Sequence, residues 1–534
     1  MGLRIREATP TDAPQWLDLL RCALGDDFPA TEAYNLEWIK QQLQANSDSK
    51  TYVADLDGKL QAAISTLGPS GATGNPVTNL GRNFFRPESF NNGAAEALLR
   101  HIEDLGAKEK HLIIIRILAS DNGQQIIFEK QGYVCVGYQP FKHLHRSREG
   151  VLFYVRFFGD VLATRLPLSD SLPQISELAG AVLDRIQSNT PITVRDGVTG
   201  YPLKTELSFM EATADDFDLW RLQADSSNPA LEISGSYNRG LGYLRMTTAS
   251  PQVRTFLGQR EDRVVAGIAF YLDDQDRCVR IVDSFSTDDL SMGSMLTYVV
   301  KMAQDQLNAV YIEVDILVSA PRLLKSAEQL GFVPIAYLPA FYSKGERYND
   351  VVKLVKLNMG YALENTSLTT HAQGIVKIVD YNFQDQKIGV AIINLLRGLP
   401  IFEGLGDGEL RKIARLFTQK LFRPGERVFS KGDSGKEAFI VMRGQIDIVL
   451  EENSAPIASV TSGQIFGELA FLDGAARGAH AVASQASILL VIQRSAFSEL
   501  VQREPHLGMV VMRNVAMDLS NKLRRANTAL SPRR

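Results

Sequence analysis

The chain has 534 residues, 45% of them hydrophobic and 22% charged, with a formal net charge of −4. At roughly 100–200 residues per domain this length excludes a single core and predicts three or four domains, while the ordinary composition excludes a largely disordered chain. A charge so close to neutral excludes a protein wrapped around nucleic acid, which needs a concentrated basic face; only the tail "KLRRANTALSPRR" is basic.

In chain order, "IREATPTDAPQWLDLL" from Ile5 predicts a short strand, a Thr/Asp-rich helix start and an amphipathic helix. "HLIIIRILASDNGQQIIFEKQGYVCVGYQPF" (111–141) predicts a buried strand, a helix and a further strand. "SDSLPQISELAGAVLDRIQSNTP" predicts a connecting helix inside a linker, 159–204. The opening then returns as "FMEATADDFDLWRLQ" from Phe209. Glu7, Ala8, Thr9, Asp12 and Trp16 recur at one constant offset as Glu211, Ala212, Thr213, Asp216 and Trp220. The ending returns as "AVYIEVDILVSAPRLLKSAEQLGFVPIAYLPAF" (309–341). Recurrence at both ends predicts two copies of one α/β unit, 1–158 and 205–358.

"MGYALENTSLTTHAQG" is polar and turn-rich and marks the next boundary, a linker with an entry helix over 359–394. From "RGLPIFEGLGDGELRKIARLF" onward, short strands separated by glycine turns predict a small β-barrel or jelly roll over 395–534. A helix from about Pro505 to Leu530 closes the chain. Its Leu507, Val510, Val511, Val515, Leu519 and Leu523 lie at helical spacing, which suits a homodimer seam or packing on the barrel.

Chemistry-bearing clusters are few. Cys22, Cys135 and Cys278 are far apart with no CxxC spacing, so neither a disulfide framework nor a zinc site is expected. His143 and His145 lack a nearby third ligand and are expected in a solvated loop rather than on a metal. The N-terminus turns polar within a few residues, and no window offers the roughly 18 uninterrupted apolar residues of a membrane span. A cytoplasmic protein without membrane or nucleic-acid partners is expected.

"LPIFEGLGDGELRKIA", "FRPGERVFSKGDSGKEAFIVMRGQIDI" and "FGELAFLDGAARGAHAV" follow one another at spacings that resemble the cyclic-nucleotide-binding domain of catabolite-activator-type regulators and cyclic-nucleotide-dependent kinases. The resemblance implies that Phe466 to Ala470 and Arg477 to Ala479 form the phosphate-binding cassette. Gly467 would let the backbone approach the sugar-phosphate. Glu468 would accept from the ribose 2′-hydroxyl, and Arg477 would hold the exocyclic phosphate through its planar fork. Amides around Leu469, Ala470 and Ala479 would complete an anion nest. Leu469 would be the apolar hinge contact between cassette and C-terminal helix. Gly478 offers no hydroxyl directly after the arginine, which favours cAMP over cGMP. No DNA-reading helix-turn-helix follows the last helix, so a one-chain transcription factor is not expected.

"IREATPTDA", "TYVADLDGKLQAAISTLG", "SFNNGAAEALLRHIEDLG" and "LASDNGQQIIFEKQGYVCVGY" resemble the GCN5-related N-acetyltransferase fold over nearly all of 1–158, and the second copy keeps its opening and closing motifs. The chain is thus expected to be multidomain α/β plus β: two tandem acetyltransferase-like α/β domains, the second degenerate, followed by a β-jelly roll with a C-terminal helix. The resemblance implies that acetyl-CoA would place its pyrophosphate on the loop Asn91, Asn92, Gly93, Ala94, Ala95, as at any helix N-terminus that binds an anion. In the second copy only Gly293 of the loop 290–295 is kept, with Met295 filling the comparable space. Where the family often has a proton-donating tyrosine, the copies have Phe128 and Ala327, which cannot act as acids.

Three readings stay open. The first is an N-acyltransferase acting on a protein or other amine acceptor and controlled by a cyclic nucleotide; its catalytic residues are not assigned. The second is a non-enzymatic nucleotide sensor whose lobes bind a partner or a CoA-type metabolite. The third is a ligand-free dimerisation module.

Overall fold

The computed structural model describes residues 2–26, 31–44, 49–67, 77–109, 112–144, 148–166, 172–188, 198–227, 232–233, 253–273, 276–344, 347–363, 366–452 and 454–530. They form two compact units, Met1–Phe383 and Gln384–Arg534. No helix among the described residues is long and apolar enough to cross a membrane.

In the first unit, the first copy runs β1 (Leu3–Glu7), α1 (Ala13–Leu24), α2 (Leu36–Gln42), β2 (Lys50–Leu56), β3 (Lys59–Leu67), β4 (Val77–Phe85), α3 (Ala94–Glu109), β5 (Leu112–Leu118), α4 (Asn122–Lys130), β6 (Val134–Leu144) and β7 (Arg148–Phe157). After α5 (Pro173–Arg185) the second copy runs β8 (Ser208–Ala212), α6 (Ala214–Ser227), β9 (Val253–Arg260), β10 (Arg263–Asp273), β11 (Cys278–Ser286), α7 (Met292–Asp305), β12 (Tyr311–Leu317), α8 (Pro321–Gln329), β13 (Val333–Lys344) and β14 (Arg347–Leu357). The recurring Thr/Asp pair has a local reason. Asp12 accepts from the Thr9 amide at 2.8 Å, and the Asp216 amide donates to Thr213 Oγ1 at 3.1 Å, so each pair satisfies donors where a helix begins.

All fourteen strands form one sheet, in the order β1-β2-β3-β4-β5-β7-β6-β13-β14-β12-β11-β10-β9-β8. The order of one copy is the reverse of the other, and they meet at β6 and β13, where Gly137 pairs with Ala336. A Cβ on Gly137 would stand 2.1 Å from the Cβ of Ala336, so the junction closes only because that side chain is missing. One apolar core runs through both copies and takes in Ile175, Leu178 and Val182 of α5. The copies are therefore not two separately cored bodies.

Two strand pairs are parallel, β4 with β5 and β11 with β12. Each pairs over a short stretch, ending at Leu80↔Ile115 and Ile281↔Val314, after which the strands part. His143 lies on β6 opposite Glu149; His145 lies outside the described residues. Among the described residues no group of three His, Cys, Asp or Glu could hold a metal ion.

Ion pairs are buried beside the junction. The Glu313 carboxylate, in a side chain 2% exposed, accepts from Lys142 at 2.6 Å and Gln139 at 2.7 Å. Arg280 and Lys353 stand 3.7 and 3.8 Å from its other oxygen. Lys142 and Gln139 come from the first copy, Glu313, Arg280 and Lys353 from the second, so the cluster ties the copies together.

Helix α9 (Thr370–Arg397) begins inside "LTTHAQG", the stretch expected to be a turn-rich boundary. Its Ala372, Ile375, Val376 and Val379 sit at helical spacing and are buried in the first unit's core, which explains the early start.

The second unit continues with α10 (Asp407–Ala414), β15 (Phe417–Phe422), β16 (Arg427–Phe429), β17 (Glu437–Arg443), β18 (Gln445–Val449), β19 (Ala458–Thr461), β20 (Ile465–Phe466), α11 (Glu468–Asp473), β21 (His480–Ala483), β22 (Ser487–Gln493), α12 (Arg494–Arg503) and α13 (Pro505–Leu530). Two four-stranded antiparallel sheets, β15-β22-β17-β20 and β16-β21-β18-β19, form a sandwich. Strand alternation divides its apolar residues. Phe439 and Val441 of β17 meet Ile446, Ala481 and Ala483 between the sheets, while Ala438 and Ile440 turn outward to a helical layer with Phe471, Phe497, Leu507 and Val511.

Leu507 and Val511, whose spacing suits either a dimer seam or packing on the barrel, are 1% and 4% exposed in their own domain's core, with Val515 packed beside them. An apolar stripe has the same period whatever covers it, and here the sandwich does. Val510 is half-buried, and the side chains of Leu519 and Leu523 are outside the described residues. Among the described residues, the large apolar side chains that α13 leaves exposed are Met509, Met512 and Met517.

Candidate functional site

Gly467 begins the site. It ends β20 with a φ of +74°, a conformation glycine adopts without strain, and a Cβ there would come 2.8 Å from Arg477 Nη1. The turn launches the six-residue helix α11, which Gly474 ends with a second positive φ of +77°. Between these glycines, Ala470 and Phe471 point into the domain, and Phe471 packs 5.9 Å from the Phe497 ring. Leu469 is 60% exposed. The apolar contact expected of Leu469 toward the C-terminal helix layer is therefore made by Phe471, because on so short a helix the residue two positions later faces the core.

Arg477 is held by its backbone first. Its amide donates to Asp433 O and its carbonyl accepts from Gly432 N–H, each at 2.8 Å. The side chain, 4% exposed, donates from Nη1 to Gly467 O at 2.8 Å and from Nη2 to Glu437 O at 2.6 Å. Its guanidinium carbon lies 4.3 Å from the centroid of Phe429 and 5.5 Å from that of Phe439, a cation between aromatic faces. Burial pulls its pKa below the ordinary arginine value, opposed by the carboxylates of Glu437, Asp433 and Glu468. Nε is buried and has no hydrogen-bond partner among the described residues. A buried cationic donor left unpaired is costly, and an anion at this point would satisfy it.

Phe466, Gly467, Glu468, Leu469, Ala470, Arg477, Gly478 and Ala479 all line one cavity of 920 Å³. Glu468 opens α11 and is half-buried. Three further walls are absent from the sequence reading. Phe429 closes the arginine end, Glu403 comes from the turn after α9, and Asn514 and Met517 come from α13. Asn514 Nδ2 donates to the carbonyls of Glu403 at 2.8 Å and Ile401 at 3.3 Å, fixing α13 beside the cavity. A buried asparagine in an otherwise apolar helix stripe is the one local signal for it.

In the first unit, Asn91, Asn92 and Gly93 form the turn before α3, with Gly93 at a φ of +81° and nothing within 4 Å of where its Cβ would be. Asn92 Oδ1 accepts from the Ala94 amide at 3.0 Å, and Ala94 and Ala95 are fully buried against the sheet. These alanines offer a ligand only their backbone. At the matching turn of the second copy, Met295 is buried in the core, and the space before α7 is taken instead by backbone: a Cβ on Gly293 would stand 2.4 Å from Pro202 O and 2.8 Å from Tyr201 O. Phe128 and Ala327 are buried. Tyr133, whose ring lies 5.0 Å from Phe128, has a buried hydroxyl without a partner among the described residues, and burial raises its pKa far above the ordinary tyrosine value.

Residues 419–504 match the family "Cyclic nucleotide-binding domain". Among curated proteins, the chain is 30% identical over 138 residues to the cyclic AMP receptor protein of Thermus thermophilus, covering 25% of this chain and 62% of that protein. It is 30% identical over 108 residues to the cAMP-dependent protein kinase regulatory subunit of Colletotrichum orbiculare, covering 20% and 28%. Among solved structures, the catabolite activator protein of Thermus thermophilus shares 30% identity over 24% of this chain and 61% of its own, with a TM-score of 0.23. The chain spans less than two thirds of each of these relatives. The matched residues hold the sandwich, α11 and Arg477, and the C-terminal unit of this protein carries a cyclic nucleotide-binding domain.

Proposed function

We propose that the chain is a cAMP-responsive regulator: the 920 Å³ cavity takes the nucleotide, and the first unit is the acetyltransferase-like module it controls. The observation that carries this reading is Arg477, held between aromatic faces with a buried Nε that has no partner among the described residues, in the wall of a cavity that Glu468 also lines. A cyclic phosphate supplies the acceptor that Nε lacks, and a ribose 2′-hydroxyl supplies the donor a carboxylate wants. Gly478 and Ala479 present no hydroxyl to a guanine amino group, which supports cAMP over cGMP. Calorimetric titration of the full chain with each nucleotide tests the reading; no heat from either at millimolar concentration removes it.

The role given to Glu468 makes a sharper expectation. Glu468→Ala should weaken cAMP binding by roughly tenfold or more, as for a lost charge-assisted hydrogen bond of ~1.5–3 kcal/mol. Wild-type protein should lose the same factor for 2′-deoxy-cAMP, and the variant should no longer distinguish the two ligands. Additive losses would place the 2′-hydroxyl elsewhere.

For the first unit, we propose that acetyl-CoA sets its pyrophosphate at the turn Asn91–Gly93 ahead of α3, where nothing stands over Gly93. Gly93→Val, which strains a backbone at φ +81° and covers this turn, is expected to abolish CoA binding while leaving cAMP binding intact. Unchanged CoA isotherms would rule the turn out. If the nucleotide controls this module, saturating cAMP should shift CoA affinity by a factor of about 5–150, and CoA should shift cAMP affinity equally. Identical isotherms with and without cAMP would leave two tethered, uncoupled functions.

The burial of Phe128 and Ala327 favours a second reading, a non-enzymatic sensor whose first lobe binds CoA or a partner without transfer. CoA binding without acyl transfer to any amine would select it.

A further inference from the structure

In the second copy, β11 and β12 part beyond Ile281↔Val314, leaving the end of β12 unpaired on that side. The gap is filled by the chain itself. Ile233 makes an antiparallel bridge to Ile316, Glu232 O accepts from the Leu317 amide at 2.9 Å, and Ile233 is 1% exposed. A second piece lies beside it. Tyr201 donates its amide to Ser326 Oγ of α8 at 2.7 Å, its ring lies 4.2 Å from the Arg322 guanidinium carbon, and the Tyr201 and Pro202 carbonyls cover the first turn of α7 at Gly293.

Both pieces face one core: Ile233 is buried in the same apolar cluster as Met295 and Val299 of α7 and Ile268 and Phe270 of β10, and Tyr201 packs against it. They meet at one hydrogen bond, Tyr201 Oη donating to Glu232 Oε1 at 2.8 Å. Burial pushes the Glu232 carboxyl up to about 7, as expected of an acid shut away from water. Carbonyl oxygens laid against a helix N-terminus put partial negative charge where an anion would otherwise bind.

We infer that the second copy is a ligand cleft of the same class as the first, kept shut by an internal two-piece plug latched through Tyr201 and Glu232. The plug takes the place of a thioester cofactor: Ile233 fills the strand gap and Tyr201–Pro202 the anion position. This rests on the proposal that the first copy is built for acetyl-CoA, and the test separates the two.

The probes are CoA titration of the full chain and hydrogen exchange of the Leu317 amide. In Tyr201→Phe, which keeps the ring on Arg322, that amide should exchange up to about tenfold faster, while Glu232→Gln, still an acceptor, should match wild type. In Tyr201→Ala/Glu232→Ala, CoA stoichiometry should rise by one per chain. Faster exchange in the double variant with no added CoA site would overturn the inference, as would unchanged exchange. A wild type that binds no CoA beside a double variant that binds one would sink the first-copy proposal and leave this one standing.

Discussion

Arg477→Ala is expected to weaken cyclic-nucleotide binding by roughly thirtyfold to a few thousandfold, the equivalent of ~2–5 kcal/mol for losing a charged partner of a buried phosphate. The reason lies in what the side chain does before any ligand arrives. Its two terminal nitrogens already hold Gly467 O and Glu437 O, so the guanidinium is fixed, and among the described residues its Nε has no acceptor. Little conformational freedom is left to lose on binding, which is where preorganisation adds affinity. Truncation also removes two hydrogen bonds, though Gly467 O keeps that from the Phe471 amide, so the unliganded variant should be less stable by about 1–3 kcal/mol. Arg477→Lys restores a charge but not the fork, and should recover only part of the affinity. Calorimetry measures the first effect and thermal unfolding without ligand the second. A variant that binds within threefold of wild type would show that the phosphate sits elsewhere in the cavity.

Glu313→Ala should destabilise the first unit, by up to ~3–5 kcal/mol, because it leaves three buried cations, Lys142, Arg280 and Lys353, with only two carboxylates, Asp276 and Asp315, beside them. Burial alone would raise the Glu313 pKa, but the attraction of Lys142, Arg280 and Lys353 outweighs it and holds the carboxyl well below its ordinary value. The sign of the pH effect follows. With a folded pKa below the unfolded one, the stabilisation is present above the ordinary glutamate pKa of about 4.3 and is lost as pH falls through the folded value. Denaturant unfolding of wild type and Glu313→Gln between pH 3 and 7 should show the wild-type advantage shrinking toward the acid end. A pH-independent difference would mean that packing, not charge, is what Glu313 contributes.

What the sequence by itself determined is what neighbours in the chain decide. The two copies are legible because the Thr/Asp helix starts and the buried strands are local devices, satisfied by residues a few positions away. The cassette from Phe466 to Ala479 is legible for the same reason: Gly467 and Gly474 bracket α11, so one continuous stretch brings Glu468 and Arg477 to one cavity.

Only the tertiary structure decided which surfaces those local pieces meet. The stripe Leu507, Val511, Val515 has helical period whether a second copy or the sandwich covers it, and the sandwich does. "YIEVDIL" is buried throughout, as expected, but the cations that meet its Glu313 and Asp315 arrive from other strands. Asn514 and Met517 reach the cavity from a helix some forty residues beyond the cassette. Tyr201 meets both Glu232 and Gly293 in the second copy although each is unremarkable in its own stretch. Such contacts depend on strand order and on where a sheet opens, and neither is encoded within the window over which periodicity and turn chemistry act.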